Sequence, residues 1–196
     1  MSIPNPQIRF SYEDYRSLVS TSDKRYELLD GDIVMVPSPT AVHQEVSRNL
    51  VFLLLAHVRA QRLGKVFYAP MDVVFGKGME REVAQPDLLF VRAERRAIIG
   101  RNAVEGAPDL VVEILSPGTK ARDRGYKKSL YARFGVFEYW IVDPKAQVIE
   151  VHALGSGRYE LTGPRSIIIS YRKGDRFASP LFPGLTLPLD EVFEAE

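Results

Sequence analysis

Three charged residues stand where burial would favour apolar ones. Asp87 opens the run Leu88-Leu89-Phe90-Val91, Glu113 lies inside the run 110–115, and Lys127 lies on a helical segment downstream. An ionised carboxylate in an apolar strand is unfavourable unless a cation, a metal or strong donors accompany it. Two acids on neighbouring strands can hold a hard divalent ion such as Mg²⁺ through oxygen. A metal so held can lower the pKa of a bound water and neutralise the charge that develops on a phosphodiester. A lysine beside it can position that water or stabilise the transition state. The same three residues would also serve as a plain buried ion-pair network.

The elements that would position them follow from periodicity. Leu110, Val111, Val112, Ile114 and Leu115 form a near-continuous apolar run, as in a strand covered on both faces. Alternation puts Asp109, Val111 and Glu113 on one face and Leu110, Val112 and Ile114 on the other. A helix expected over 122–134, closed by Gly135, has an inward stripe at 123, 127, 130, 131 and 134. Leu130, Tyr131 and Phe134 mark that stripe as apolar. Lys127 therefore points toward the sheet, while Lys128, about 100° round the helix, faces solvent more.

Upstream, Ser11 is an N-cap for a helix over 12–19, with Asp14 at the third helical position. Strands over 26–29 and 33–36 flank Asp30-Gly31 as a hairpin, and Glu27 lies in the first. Thr40 caps a long helix over 41–63, with His43 in its first turn and Gly64 at its end. Further strands are expected over 66–69, 73–75 and 88–91, with 76–82 a polar turn and 94–105 a charged connection. Downstream strands are expected over 137–142, 148–154, 159–161, 167–171 and 185–187, with a last helical turn over 189–193. Trp140 and Tyr139 read as core, and Asp143-Pro144 as a turn. This order suggests an α/β or α+β chain with a mixed sheet flanked by helices.

Composition narrows the class. The 196 residues suit one domain over 1–196, and 45% hydrophobic content is ample for a core. There is no cysteine, so no disulfide and no thiolate zinc site. Residues 1–10 lack an apolar signal core and no stretch approaches a membrane span, so the expectation is a soluble cytoplasmic protein with no membrane partner. A net charge of +1 argues against coating nucleic acid by bulk charge. Basic residues do gather locally, as Lys120, Arg122, Arg124, Lys127, Lys128 and Arg133 against Asp123, and as Arg92, Arg95, Arg96 and Arg101. Each cluster also fits a solvated face.

Pro86-Asp87 followed by Glu113 on a later apolar strand resembles the PD-(D/E)XK nuclease superfamily. The usual pattern has a lysine two residues after the second acid, where this chain has Leu115. The surrounding blocks are more specific. They are Tyr26-Glu27-Leu28-Leu29-Asp30-Gly31, Pro86-Asp87-Leu88, Pro108-Asp109-Leu110-Val111-Val112-Glu113-Ile114-Leu115-Ser116-Pro117, Arg122-Asp123 with Lys127 and Tyr131, and Glu138-Tyr139-Trp140-Ile141-Val142-Asp143-Pro144. Together they look like the Uma-two family of restriction-endonuclease-like proteins, over about 12–187 of the chain. In that family the lysine has moved from the strand to the following helix, and Lys127 occupies the matching place.

The resemblance implies a restriction-endonuclease-like core with a central mixed β-sheet flanked by helices, an extra N-terminal hairpin and extra C-terminal strands. It implies a catalytic set of Asp87, Glu113 and Lys127, with Asp87 and Glu113 as ligands of Mg²⁺, for which Mn²⁺ would substitute. Glu27 matches an acid of the family's hairpin, as an accessory metal ligand or a supporting group. His43 matches a histidine after the Ser-Pro turn, placed to touch phosphate or water. Asp109 and Asp72 are weaker metal candidates. Lys120, Arg122, Arg124 and Lys128 would lie near the rim and hold phosphates of nucleic acid, DNA being the expected substrate. The expected activity is metal-dependent endonuclease hydrolysis of phosphodiester bonds. The alternative is a non-catalytic nucleic-acid-binding or interaction module that keeps the nuclease fold. Nucleases that cut two strands are commonly homodimers, and the aromatic-rich C-terminal strands could pair, but no residue of the sequence decides this.

Overall fold

The computed structural model describes residues 9–154, 167–172 and 174–194. Its first helix, α1 (Tyr12–Val19), starts on a reciprocal cap: the Ser11 hydroxyl accepts from Asp14 N at 3.1 Å, and the Asp14 carboxylate accepts from Ser11 N at 2.8 Å. Strands β1 (Tyr26–Leu29) and β2 (Asp32–Met35) form the expected hairpin. Asp30 and Gly31 both have positive φ, 51° and 79°, which suits the twist of a two-residue turn.

Helix α2 (Ala41–Gln61) is capped by Thr40, whose side chain accepts from His43 N. It ends on a left-handed Arg62 rather than at Gly64. Gly64 instead opens β3 (Gly64–Tyr68), where a Cβ would lie 2.1 Å from the Val91 carbonyl oxygen. That glycine serves the close approach of two strands, not the helix cap.

The larger sheet takes the order β11 (Ile167–Arg172), β10 (Val148–Ala153), β9 (Glu138–Asp143), β8 (Leu110–Ile114), β6 (Leu88–Arg92), β3. Only β8 and β9 run parallel; the other pairs are antiparallel. The alternation read from the sequence holds on β8. Leu110, Val112 and Ile114 pack with Val46, Leu50, Leu54 and Val58 of α2. Val111 and Leu115 pack on the opposite side, with Leu29, Val73 and Phe75 of a second sheet and with Leu130 and Tyr131.

That second sheet runs β2, β1, β5 (Glu82–Ala84), β4 (Asp72–Phe75), β7 (Ala103–Glu105), with only β4 and β7 parallel. Two corrections to the sequence reading belong here. The "charged connection" over 94–105 ends in a three-residue strand, β7, and another, β5, starts at the last residue of the "polar turn" over 76–82. Such strands are too short to show a period, and partner strands supply their hydrogen bonds. Residues 185–187 are not a strand: they form an irregular segment that buries Leu185 and Leu187 before α5 (Leu189–Phe193). The strand expected over 159–161 lies outside the described residues.

The basic helix also differs from expectation. It begins two residues earlier, as α3 (Lys120–Arg122), passes through a π turn at Asp123–Lys127, and continues as α4 (Lys128–Phe134) to a left-handed Gly135. Among the described residues, no helix is long and apolar enough to cross a membrane.

Candidate active site

Strand register brings the two acids together. Leu88 pairs with Val112 in antiparallel sense, so Asp87, one residue before, stands level with Glu113, one residue after. Ile114 N donates to Asp87 Oδ2 at 2.7 Å, which ties the loop before β6 to β8. His43, in the first turn of α2, sets its Nε2 3.2 Å from the same oxygen. Burial disfavours the charged imidazole, but Asp87 outweighs it and raises the His43 pKa above its usual value.

The π turn supplies the lysine. An α-helical repeat carries positions eight apart to about 80° of each other; the wider turn at 123–127 lets Asp123, Lys127 and Tyr131 all be buried against the sheet. The Tyr139 hydroxyl donates to the Asp123 carbonyl at 3.0 Å, holding the turn to β9. Lys127 Nζ lies 2.9 Å from Glu113 Oε1, 2.7 Å from Glu27 Oε1 and 3.7 Å from Asp123 Oδ1. Tyr131 donates its hydroxyl to Glu113 Oε1 at 2.5 Å.

The charge states follow from these contacts. Burial opposes the Lys127 ammonium, yet Glu113, Glu27 and Asp123 together raise its pKa, so it stays protonated. Burial raises the Glu113 carboxyl well above the usual range despite Lys127, and Asp123, Asp87 and Glu27 push it further. Burial likewise raises Asp123. The cluster holds more acid than base.

These groups line a narrow cavity of about 40 Å³. Its wall includes Arg25, Pro37, Gln85, Thr119 and Arg122 besides Glu27, His43, Asp87, Glu113 and Lys127. Glu27 is fully buried rather than an exposed hairpin acid: Gln85 N donates to its Oε1 at 2.9 Å, and Arg122 lies 3.7 Å from its Oε2. Of the other rim candidates, Lys120 is 3.4 Å from Asp143, and Arg124 holds both oxygens of Glu150 at 2.9 and 2.7 Å. Lys128 is half-buried on α4, and neither it, Lys120 nor Arg124 is among the lining residues. Asp109 lies at the far end of β8, bound to Arg95 and to Arg92 N. Asp72 is engaged by Tyr15 and Gln85.

Sequence reading missed four members. Asp123 lies on the inward stripe with no further signal, and Tyr131 shares that stripe as a ring that gives no sign of where its hydroxyl goes. Gln85 is two residues before Asp87, in the stretch that joins β5 to β6. Arg25 had no signal beyond its place before β1.

The residues present fit a divalent metal. Asp87 and Glu113 offer the oxygen donors that a hard cation takes. Among the described residues, no hydrogen bond engages Asp87 Oδ1 or Glu113 Oε2. The excess of carboxylate is a charge deficit that a cation would fill. No three His, Cys, Asp or Glu side chains among the described residues converge into a ready-made metal cage. Mg²⁺ does not need one, since it is commonly held by one or two carboxylates and otherwise by water and substrate oxygens.

Comparison with known proteins gives the family and the fold. A family model described as "Uma2: Putative restriction endonuclease" matches residues 12–190. A solved structure, that of a putative nuclease belonging to DUF820 from Anabaena variabilis ATCC 29413, superposes with a TM-score of 0.75 at 19% identity. The match covers 94% of this chain and 97% of that one, and at this identity it is a likeness of fold. No curated protein matches the chain.

Proposed function

The chain belongs to the Uma2 family of putative restriction endonucleases, and from that membership we propose that it is a metal-dependent endonuclease acting on DNA. The observation that carries the reading is the Lys127 ammonium set between Glu113 and Glu27, on the strand face that Asp87 also approaches. Asp87 and Glu113 would hold the divalent ion, which when bound would acidify a water and offset charge on the phosphodiester.

The protein's own groups do the rest. Ile114 N and His43 fix one oxygen of Asp87 and leave the other to the cavity. Tyr131 and Lys127 fix Oε1 of Glu113 and leave Oε2. Lys127 keeps its proton and lends positive charge to the phosphorane-like transition state. Arg122 and Arg25 on the cavity wall would hold the phosphate. In the reaction, water oxygen adds to phosphorus and gives up a proton to solvent, the P–O bond to the leaving oxygen breaks, and that oxygen takes up a proton.

Purified protein incubated with DNA and Mg²⁺ or Mn²⁺ should cut it, and Glu113→Ala and Lys127→Ala should not. Cutting that survives in both variants would sink the assignment. One observation favours the competing reading of a non-catalytic nucleic-acid-binding module: the ammonium is already engaged by two carboxylates. Calorimetry with Mn²⁺ separates the two, since the module would fold without binding metal.

A further inference from the structure

Several cations near the cavity already have acids beside them. Arg122 lies 3.7 Å from Glu27, Lys120 lies 3.4 Å from Asp143, and Arg124 holds both oxygens of Glu150. The far end of α2 is different. There the Leu63 carbonyl accepts from Ala93 N at 2.9 Å, and Gly64 pairs with Arg92. The end of α2, the start of β3 and the short 3₁₀ helix Ala93–Ile98 after β6 therefore meet. Arg59 stands on the last turn of α2 and Arg62 caps it; Lys65 is on β3, Arg96 on the 3₁₀ helix, and Arg101 on the loop that follows. All five are exposed, and among the described residues none has a side-chain hydrogen bond or an ion pair.

Local structure does not account for this gathering. Arg59 and Arg62 suit a helix C-terminus, whose dipole favours cations, but Lys65, Arg96 and Arg101 belong to other elements. Arg92 and Arg95, in the same region, share the buried carboxylate of Asp109, which leaves the exposed five without it. Residues 59–65 and 92–109 hold seven basic side chains and three acids, in a chain whose net charge is only +1. Charge is thus polarised along the molecule, with the acids around Glu113 towards the other end. Helix α2 carries His43 in its first turn and Arg59 in its last, about 24 Å on at its rise per residue. A spread of unpaired cations over three elements matches a polyanion rather than a small ligand. Duplex DNA presents about one negative charge per 1.7 Å of its axis, so it offers several phosphates to such a surface at once. Arginine and lysine take these phosphates without reading sequence.

We propose that this end of the protein, built on Arg59, Arg62, Lys65, Arg96 and Arg101, is a docking surface for the sugar–phosphate backbone of duplex DNA, separate from the cavity. It goes beyond the nuclease reading, because it would serve a nuclease and a non-catalytic module alike. The test is fluorescence anisotropy of a labelled duplex of arbitrary sequence, without divalent metal, over a range of salt concentration. Reversing Arg59, Arg62 and Lys65 together to Glu should weaken binding at low salt at least about tenfold and flatten the slope of log K against log salt by about 2–3, with the melting temperature unchanged. Lys65→Glu and Arg96→Glu, single changes on separate elements, should each flatten it by about 1. Reversing Lys77, Lys145 and Arg176, exposed cations elsewhere, makes the same change in net charge and should leave the slope near that of the parent protein. Equal effects of the two triple reversals, a slope untouched by the first, or no binding of duplex at low salt overturns the inference. Binding of phosphatidylserine vesicles in place of duplex also overturns it. Cutting with Mg²⁺ or Mn²⁺ is read separately. Duplex held through these residues but never cut overturns the nuclease reading alone. Cutting as efficient in the first triple variant as in the parent protein overturns the docking surface alone.

Discussion

Asp109 just precedes strand β8 and Glu113 lies within it, four residues on and on the same face, and both are buried. Their surroundings differ. Arg92 N donates to Asp109 Oδ2 at 2.9 Å and Arg95 donates to Oδ1 at 2.8 Å, so both oxygens have donors. Glu113 takes Lys127 and Tyr131 on Oε1 alone, and its near neighbours are Glu27, Asp87 and Asp123. A buried acid with a full set of donors closes a structure. A buried acid among other acids, with one oxygen free of donors, leaves a place that a cation would fill. The two are told apart by what completes them, not by depth or strand position.

The largest expected effect that separates them is on Lys127. Lys127→Met leaves Glu113 and Glu27 buried without their cation, and should lower stability by about 3–5 kcal/mol in urea unfolding and abolish cutting. Asp109→Asn should cost about 1–3 kcal/mol and leave the activity of the folded fraction intact. A lysine variant as stable as the Asp109 variant would break the contrast.

Next, Glu113→Gln should reduce cutting at least about a hundredfold. It should not lower the melting temperature, because it removes charge from an over-acidic cluster. A clear drop would mean Glu113 is chiefly structural. Tyr131→Phe, which deletes one hydrogen bond to Glu113, should cost about 1 kcal/mol and slow cutting about tenfold with KM unchanged.

The smallest effect concerns the histidines, which tilt stability oppositely with pH. His152 is pushed down to about 4 by burial, with Lys128 adding to it. It therefore contributes stability that is complete above 6.5 and declines as pH falls toward 4. His43 is raised through Asp87, so its contribution is complete below 6.5 and is lost as pH rises through its folded pKa. Melting temperatures across this range should flatten on the acid side for His152→Gln and on the alkaline side for His43→Gln. Parallel profiles for the two variants would contradict the assignment.

Much of this was legible in the chain. Caps at Ser11 and Thr40, the Asp30-Gly31 turn and the helical stripe through Lys127 are local signals, and local physics fixes them. β5 and β7 were not legible, because three residues carry no period and depend on distant partners. Glu27 could be placed on its strand but not assigned a depth, since the second sheet that covers it is built from such fragments. The roles of Tyr131, Gln85 and Arg25 depend on where a side chain's tip arrives, which spacing alone does not encode.

The π turn at Asp123–Lys127 has a consequence for comparing sequences and for engineering. A π turn takes up one residue more than an α turn, so the helix beyond it can keep its face while the count along the chain changes. A single-codon deletion at the exposed Gly125 would make it a plain α turn and set Asp123 and Tyr131 seven positions apart, about 20° from one another. The distance along the chain between Glu113 and its lysine is thus a phase as well as a count. A search that fixes the count and ignores the phase will pass over chains built this way.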